Sequence, residues 1–136
     1  MIETQGGLIP LICHLFLIAF TGFFGLSCLF NGKKLSQNFG FRDDQEQVAV
    51  AFRPLGFAFT TFSLVLIAQL FQFVITSSFE IYTILLVFFI FGFVGNLLNY
   101  FKIWNMFGVE TDVKSIILPL VPIAVILIRC LTSNLY

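Results

Sequence analysis

Charged side chains are scarce in this sequence. Asp, Glu, Lys and Arg make up 10% of the 136 residues, against about 25% in soluble domains. Hydrophobic residues make up 59%, which is more apolar surface than a soluble fold of this size can bury, so we expect lipid to be the solvent. The formal net charge is zero. The composition therefore predicts no basic surface for nucleic acid.

Motifs of common catalytic and metal sites are also missing. There is no HExxH, and no cluster of Cys, His and carboxylates suggests a metal site. Cys13, Cys28 and Cys130 show no C-x-x-C spacing, and we interpret them as small apolar residues in the membrane. No Asp or Glu lies in the middle of an apolar run, which disfavours a proton-coupled antiporter of the small multidrug type. These absences predict a protein that is not an enzyme.

Four apolar runs are the main feature that the sequence does contain. At 1.5 Å per residue, such runs approach or exceed the ~30 Å hydrocarbon core of a bilayer. The predicted spans are 8–30, 56–75, 81–100 and 116–131. We therefore expect an all-α integral membrane protein, a four-transmembrane-helix bundle formed by one membrane domain over residues 1–136.

The second helix is expected to begin before its apolar run. Asp43 and Glu46 have the spacing of a capping box. The stretch 48–52 would then be helical at the membrane interface. Pro54 lacks a backbone N–H and is expected to kink or break the helix where it enters the bilayer.

Basic residues predict the orientation of the chain. They are concentrated in or beside the polar loops 31–47 and 101–115, whereas only Arg129 lies at the opposite side. The residues on the loop side are Lys33, Lys34, Arg42, Arg53, Lys102 and Lys114. This asymmetry predicts cytoplasmic loops, with both termini outside. A bacterial inner membrane is the default location.

The two halves of the chain resemble each other. Gly22-Phe-Phe-Gly25 in the first run matches Gly92-Phe-Val-Gly95 in the third. This similarity suggests two tandem helix-loop-helix repeats, and chance in a sequence rich in Phe and Gly is the alternative. Both glycine pairs would allow close helix approach, and we expect the first and third spans to meet there.

Polar residues near the outer end of the spans form the first candidate site. They are His14, Gln69, Gln72, Glu80 and Arg129. Gln69 and Gln72 would share one helix face, and the group would line a polar vestibule or provide interhelical hydrogen bonds. Tyr82 and Tyr100 are expected in an aromatic belt at the membrane interfaces.

His14 is the only histidine and a weak candidate metal ligand. A neutral imidazole can bind haem iron or chlorophyll magnesium, but a bis-His haem needs a second histidine that the chain lacks. We therefore predict no cofactor, with haem or a chlorophyll pigment as the alternative.

A second candidate group lies near the inner ends of the spans and consists of Arg53, Asn96, Asn99 and Lys102. Two amides near two cations would suit a lipid head group or a quinone. Interhelical hydrogen bonds with cations extending to lipid phosphate are the alternative.

The leading functional hypothesis is a non-catalytic accessory or structural subunit that packs against other membrane subunits or self-associates, with membrane lipids as its surroundings. A small transporter or channel and a pigment-binding subunit are the other two hypotheses.

Overall fold

The computed structural model describes residues 5–38, 45–73, 78–103 and 111–133. All regular structure in these ranges is helical. The helices are α1 (Leu8–Phe30), α2 (Gly32–Asn38), α3 (Gln45–Leu70), α4 (Ser78–Tyr100), α5 (Val113–Ile117) and α6 (Leu120–Ser133).

Four stretches in the described ranges are long and apolar enough to cross a bilayer. They are Leu8–Phe30, Glu46–Leu70, Phe79–Tyr100 and Val113–Ser133, the last of which combines α5 and α6. Helices suit these stretches because a helix satisfies its own backbone hydrogen bonds, which lipid cannot do. The protein is a multi-pass integral membrane bundle of four helices, as its hydropathy predicts.

The helix bounds agree best with the prediction for the first span, where both are 8–30. The second helix, α3, runs from Gln45 to Leu70, which confirms the predicted start before the apolar run and the helical stretch 48–52. The helix is not broken at Pro54. Polar residues ahead of Pro54 lower the hydropathy of this segment without preventing a helix. The predicted loop 31–47 also contains α2. Asp43, the first residue of the predicted capping box, lies outside the described residues.

Neighbouring helices in the bundle follow the order α3, α1, α6, α4. We call the end that holds Gln5 and Ser133 the terminus end, and the end that holds α2 and α5 the loop end. The core takes side chains from all four spans: Leu17, Phe59, Leu66, Tyr82, Leu85, Phe89 and Ile126. Between α3 and α4 contact is made by long side chains, as where the rings of Phe59 and Phe88 meet at 5.1 Å.

Glycines set the distance between α1 and α3. A methyl group built on Gly25 would lie 2.6 Å from Thr60 Oγ1 and 2.7 Å from the Thr60 backbone nitrogen. Gly22 is similarly close to Ser63, whose hydroxyl donates to the Ile18 carbonyl at 3.0 Å. The glycine pair of the first span therefore packs on the second span, and the expected contact with the third span was wrong. Among the residues that the structure describes, no atom would lie within 4 Å of a methyl group on Gly92 or Gly95 of α4.

Helices α3 and α4 end in the same hydrogen-bonded turn. After α3, Phe73 N–H donates to the Ala68 carbonyl and Gln72 N–H to the Gln69 carbonyl. After α4, Ile103 and Lys102 donate in the same pattern. This is the Schellman motif, and it places Gln72 (φ 59°) and Lys102 (φ 55°) in the left-handed region that favours glycine.

Candidate functional site

A polar network at the terminus end joins all four spans. It consists of Gln5, His14, the Leu66 carbonyl, Tyr82 and Arg129, and we call it the Arg129 network. The four side chains are each at least nine-tenths buried. His14 comes from α1, Leu66 from α3, Tyr82 from α4 and Arg129 from α6. Because lipid offers no hydrogen-bond partner, a set of polar groups at this depth is stable when its members satisfy one another.

The hydrogen bonds of the network have one consistent direction. His14 Nε2 lies 2.8 Å from the Leu66 carbonyl oxygen, so this nitrogen carries the proton and donates. His14 Nδ1 faces the Tyr82 hydroxyl, which donates to it. The same hydroxyl accepts from Arg129 Nε at 3.1 Å. We assign a neutral His14 with its proton on Nε2, since only this tautomer satisfies every contact.

Arg129 is the only charged member of the network. Its Nη1 donates to the Gln5 carbonyl at 2.8 Å, and its Nη2 donates to Gln5 Oε1 at 2.9 Å. The guanidinium carbon also lies 5.3 Å from the centre of the Tyr82 ring, within range of a cation–π interaction. In the described ranges no carboxylate makes an ion pair with Arg129. Neutral oxygens and an aromatic ring therefore surround this buried cation.

The hydrogen bonds also bear on the question of cofactors. Both ring nitrogens of His14 are engaged by protein groups, so coordination of a metal would require one of these two bonds to break. Among the residues that the structure describes, no group of three or more His, Cys, Asp or Glu side chains is arranged to hold a metal ion.

The predicted outer group is only partly brought together. His14 and Arg129 belong to the network, and Gln69 is buried one helical turn after Leu66. Gln72 and Glu80 are exposed. The prediction that Gln69 and Gln72 share one helix face is wrong. Helix α3 ends at Leu70, so Gln72 lies in the turn that follows it.

Two members of the network were missed from the sequence. Tyr82, expected in an aromatic belt, is 3% exposed and forms the centre of the network. Its position in the second turn of α4, close to the predicted membrane interface, gave no sign of this. Gln5 precedes the first apolar run and has no distinguishing motif.

A second feature lies between α3 and α4 in the half of the bundle towards the loop end. It is an open, almost entirely apolar cavity of about 230 Å³, which we call the lateral cleft. Phe20 and Phe24 of α1 line it from inside. The remaining lining residues include Phe52, Leu55 and Phe59 on one side and Phe88, Gly92 and Asn96 on the other.

A third feature lies at the loop end where α1, α2 and α3 meet. It is an open cavity of about 520 Å³ with a mixed polar and apolar lining, which we call the basic cleft. The polar lining side chains are Asn31, Lys33, Lys34, Glu46 and Arg53, and the apolar ones are Leu29, Phe30, Ala49 and Val50.

The predicted inner group is divided among these features. Arg53 lines the basic cleft. Asn96 donates to the Ser115 carbonyl at 2.7 Å, and Asn99 donates to the Thr111 hydroxyl, so both amides tie α4 to the segment around α5. Lys102 is exposed in the turn after α4.

The fold and these features define a class: a multi-pass membrane helix bundle with a polar network at one end and open clefts at the other. Comparisons with protein-family models, with curated proteins and with solved structures found no match to the chain.

Proposed function

We propose that the protein is a non-catalytic subunit that packs sideways, within the bilayer, against a helix of another membrane protein or of a second copy. The observation that carries this proposal is the lateral cleft beside Gly92. The cleft opens on the side of α4 where an added methyl group would meet nothing within 4 Å.

Small residues on an exposed helix face suit a partner helix better than they suit lipid. Glycine allows a second backbone to approach closely, which strengthens the van der Waals contacts that drive association of helices in membranes. Flexible lipid chains gain little from such a surface. A large apolar side chain of the partner would enter the cleft and contact Phe59 and Phe88.

The other end of the bundle supports the same proposal. The Arg129 network holds the four spans together at the terminus end. Because the spans are already linked within one chain at that end, we place the partner at the lateral cleft, towards the loop end.

Native mass spectrometry after mild extraction from the protein's own membrane tests the proposal. We expect species heavier than the 15.4 kDa chain by the mass of a further polypeptide. Gly92→Leu fills the cleft and should abolish these species. Ala19→Leu, which enlarges an exposed residue of α1, is the matched control and should retain them. A wild-type chain found only as a monomer, or a Gly92→Leu variant with unchanged assemblies, would contradict the proposal.

Transport is the second candidate function, and the buried Arg129 cation favours it. An anion that displaced Gln5 could be bound by the guanidinium at the terminus end. Flux of anions in proteoliposomes should then fall when Arg129 is changed to Met, and it should fall also in Gln69→Leu. Equal flux in wild type and variants excludes this candidate.

Binding of haem or a pigment through His14 remains a third proposal, and it requires one of the two His14 hydrogen bonds to open. It predicts a visible absorption band in the native preparation that His14→Ala removes. A colourless preparation would count against it.

The loop end faces the cytoplasm in this proposal, because five of the six basic residues that the structure describes lie there. Lys34→Cys, in a chain with Cys13, Cys28 and Cys130 changed to Ser, should react with an impermeant maleimide only in inverted vesicles. Ser133→Cys in the same background is the control and should react only in right-side-out vesicles. The reverse labelling pattern would refute this orientation.

A further inference from the structure

The basic cleft is built by a close approach of α2 to α3. A methyl group on Gly32 would lie 3.1 Å from Ala49 Cβ and 3.2 Å from Ala49 Cα, so any larger residue would push α2 and α3 slightly apart. Lys33 on α2 and Glu46 on α3 form an ion pair across the same junction. Lys33 and Lys34 therefore line the cleft together with residues from the first turns of α3.

The charges in the cleft are unbalanced. Three cations, Lys33, Lys34 and Arg53, line it together with a single carboxylate. That carboxylate, Glu46, is paired with Lys33. Across the described ranges Lys34 and Arg53 form no ion pair. Within the described residues, two cations of one cavity are therefore without an ion-pair partner, and Arg53 can offer a planar pair of donors to the oxygens of a phosphate.

The position of the cleft indicates which kind of phosphate compound would bind there. It lies where α1 ends at Phe30 and where the span Glu46–Leu70 begins, which is the depth of lipid head groups. Its apolar walls are open to the bilayer, since Phe30 is 80% exposed and Val50 is 55% exposed. A soluble phosphate compound has no apolar chain that would contact these walls, whereas the first part of a lipid acyl chain can lie against them. The volume of about 520 Å³ is in the range of small-molecule sites.

We propose that the basic cleft binds the head group of an anionic phospholipid, with the phosphate held between Lys34 and Arg53 and the glycerol and upper acyl chain against Phe30 and Val50. The proposal concerns a different surface from the lateral cleft. It does not depend on the proposed subunit function.

Lipid titration of the delipidated full-length protein in detergent, read by native mass spectrometry, tests the site. Phosphatidylglycerol and phosphatidylcholine are the probes, because both carry a phosphate and only the first has a net negative charge. We expect phosphatidylglycerol to bind at least tenfold more tightly. Changing both Lys34 and Arg53 to Gln should weaken its binding about tenfold or more.

The matched control changes both Lys102 and Lys114 to Gln. It removes the same charge from the same end of the bundle but leaves the cleft intact, and it should alter phosphatidylglycerol binding less than twofold. Both double variants alter exposed side chains, and circular dichroism should show unchanged helix content. Equal binding of the two lipids, or equal loss in the two double variants, would overturn the proposal. Displacement of phosphatidylglycerol by millimolar inorganic phosphate would also overturn it in favour of a site for free phosphate.

Discussion

The glycine pairs Gly22/Gly25 of α1 and Gly92/Gly95 of α4 have the same spacing in the sequence and opposite surroundings. Gly25 touches the backbone of Thr60, whereas Gly92 and Gly95 face open space. The first pair is used within the chain to bring α1 and α3 together. The second pair leaves a surface of α4 that no other part of the described chain covers. A glycine pair in a membrane helix thus predicts that something packs closely there, but not whether it belongs to the same chain.

Alanine substitutions should separate the two pairs by the sign of their effect. Gly25→Ala forces a methyl group against Thr60, and overpacking of this kind costs roughly 1–3 kcal/mol. Gly95→Ala has open space, and it should gain up to about 1 kcal/mol because alanine favours the helix more than glycine does. Titration with SDS in mixed micelles, followed by circular dichroism, gives the free energy of unfolding. If the two substitutions changed the free energy of unfolding by a similar amount, the difference in packing would not contribute to stability.

Tyr82→Phe should have the next largest effect on stability, because it removes the hydroxyl that links α4 to α1 and α6 at the terminus end. The change leaves Arg129 Nε and His14 Nδ1 without their shared partner. We expect a loss of about 1–2 kcal/mol in the free energy of unfolding, as measured by the same titration.

Tyr100→Phe is the control for this experiment, since Tyr100 is a half-exposed tyrosine of the same helix. It should change stability by less than about 0.5 kcal/mol. If the two variants were equally stable, the Arg129 network would contribute nothing to the bundle.

The smallest effect is expected where the two halves of the chain are alike. Gln72→Gly and Lys102→Gly each place glycine at a position with positive φ in the turns that end α3 and α4. Each should stabilise the protein by roughly 0.5–1 kcal/mol, because glycine has no Cβ to clash in this conformation. Thermal unfolding of the two single variants in detergent measures the gain. A gain at one turn only would mean that the turns are not equivalent.

Hydropathy was sufficient to predict the four spans and the bounds of α1, because long apolar runs in lipid must be helical. The start of α3 ahead of its apolar run was predicted from the capping-box spacing of Asp43 and Glu46 and not from hydropathy. Helix formation there depends on local backbone preference, and the polar residues 45–47 do not oppose it. The Schellman turns were also missed, since Gln72 and Lys102 are not the residues that usually mark such turns.

The candidate sites were predictable only in part. His14 and Arg129 were singled out because polar groups are costly in lipid. Tyr82 was not, because a tyrosine near the end of a span is equally suited to the interface and to a buried hydrogen bond. The basic cleft depends on contact between Gly32 and Ala49, and no spacing in the sequence predicts which helices meet. The tandem repeat stays a prediction. The two glycine pairs that suggested it have different surroundings, since only the first pair packs against another described helix.

The bond between Gln5 and Arg129 has a consequence for biosynthesis. It joins residues 124 positions apart, so it can close only after translation has nearly passed through the last span. Until then His14 and Tyr82 lack the cation that completes their network. A chain stalled before α6 would therefore hold His14 and Tyr82 in the bilayer without this partner, where an unsatisfied polar group is costly. With α6 in place, the Gln5–Arg129 bonds close and these polar groups are paired within the bundle.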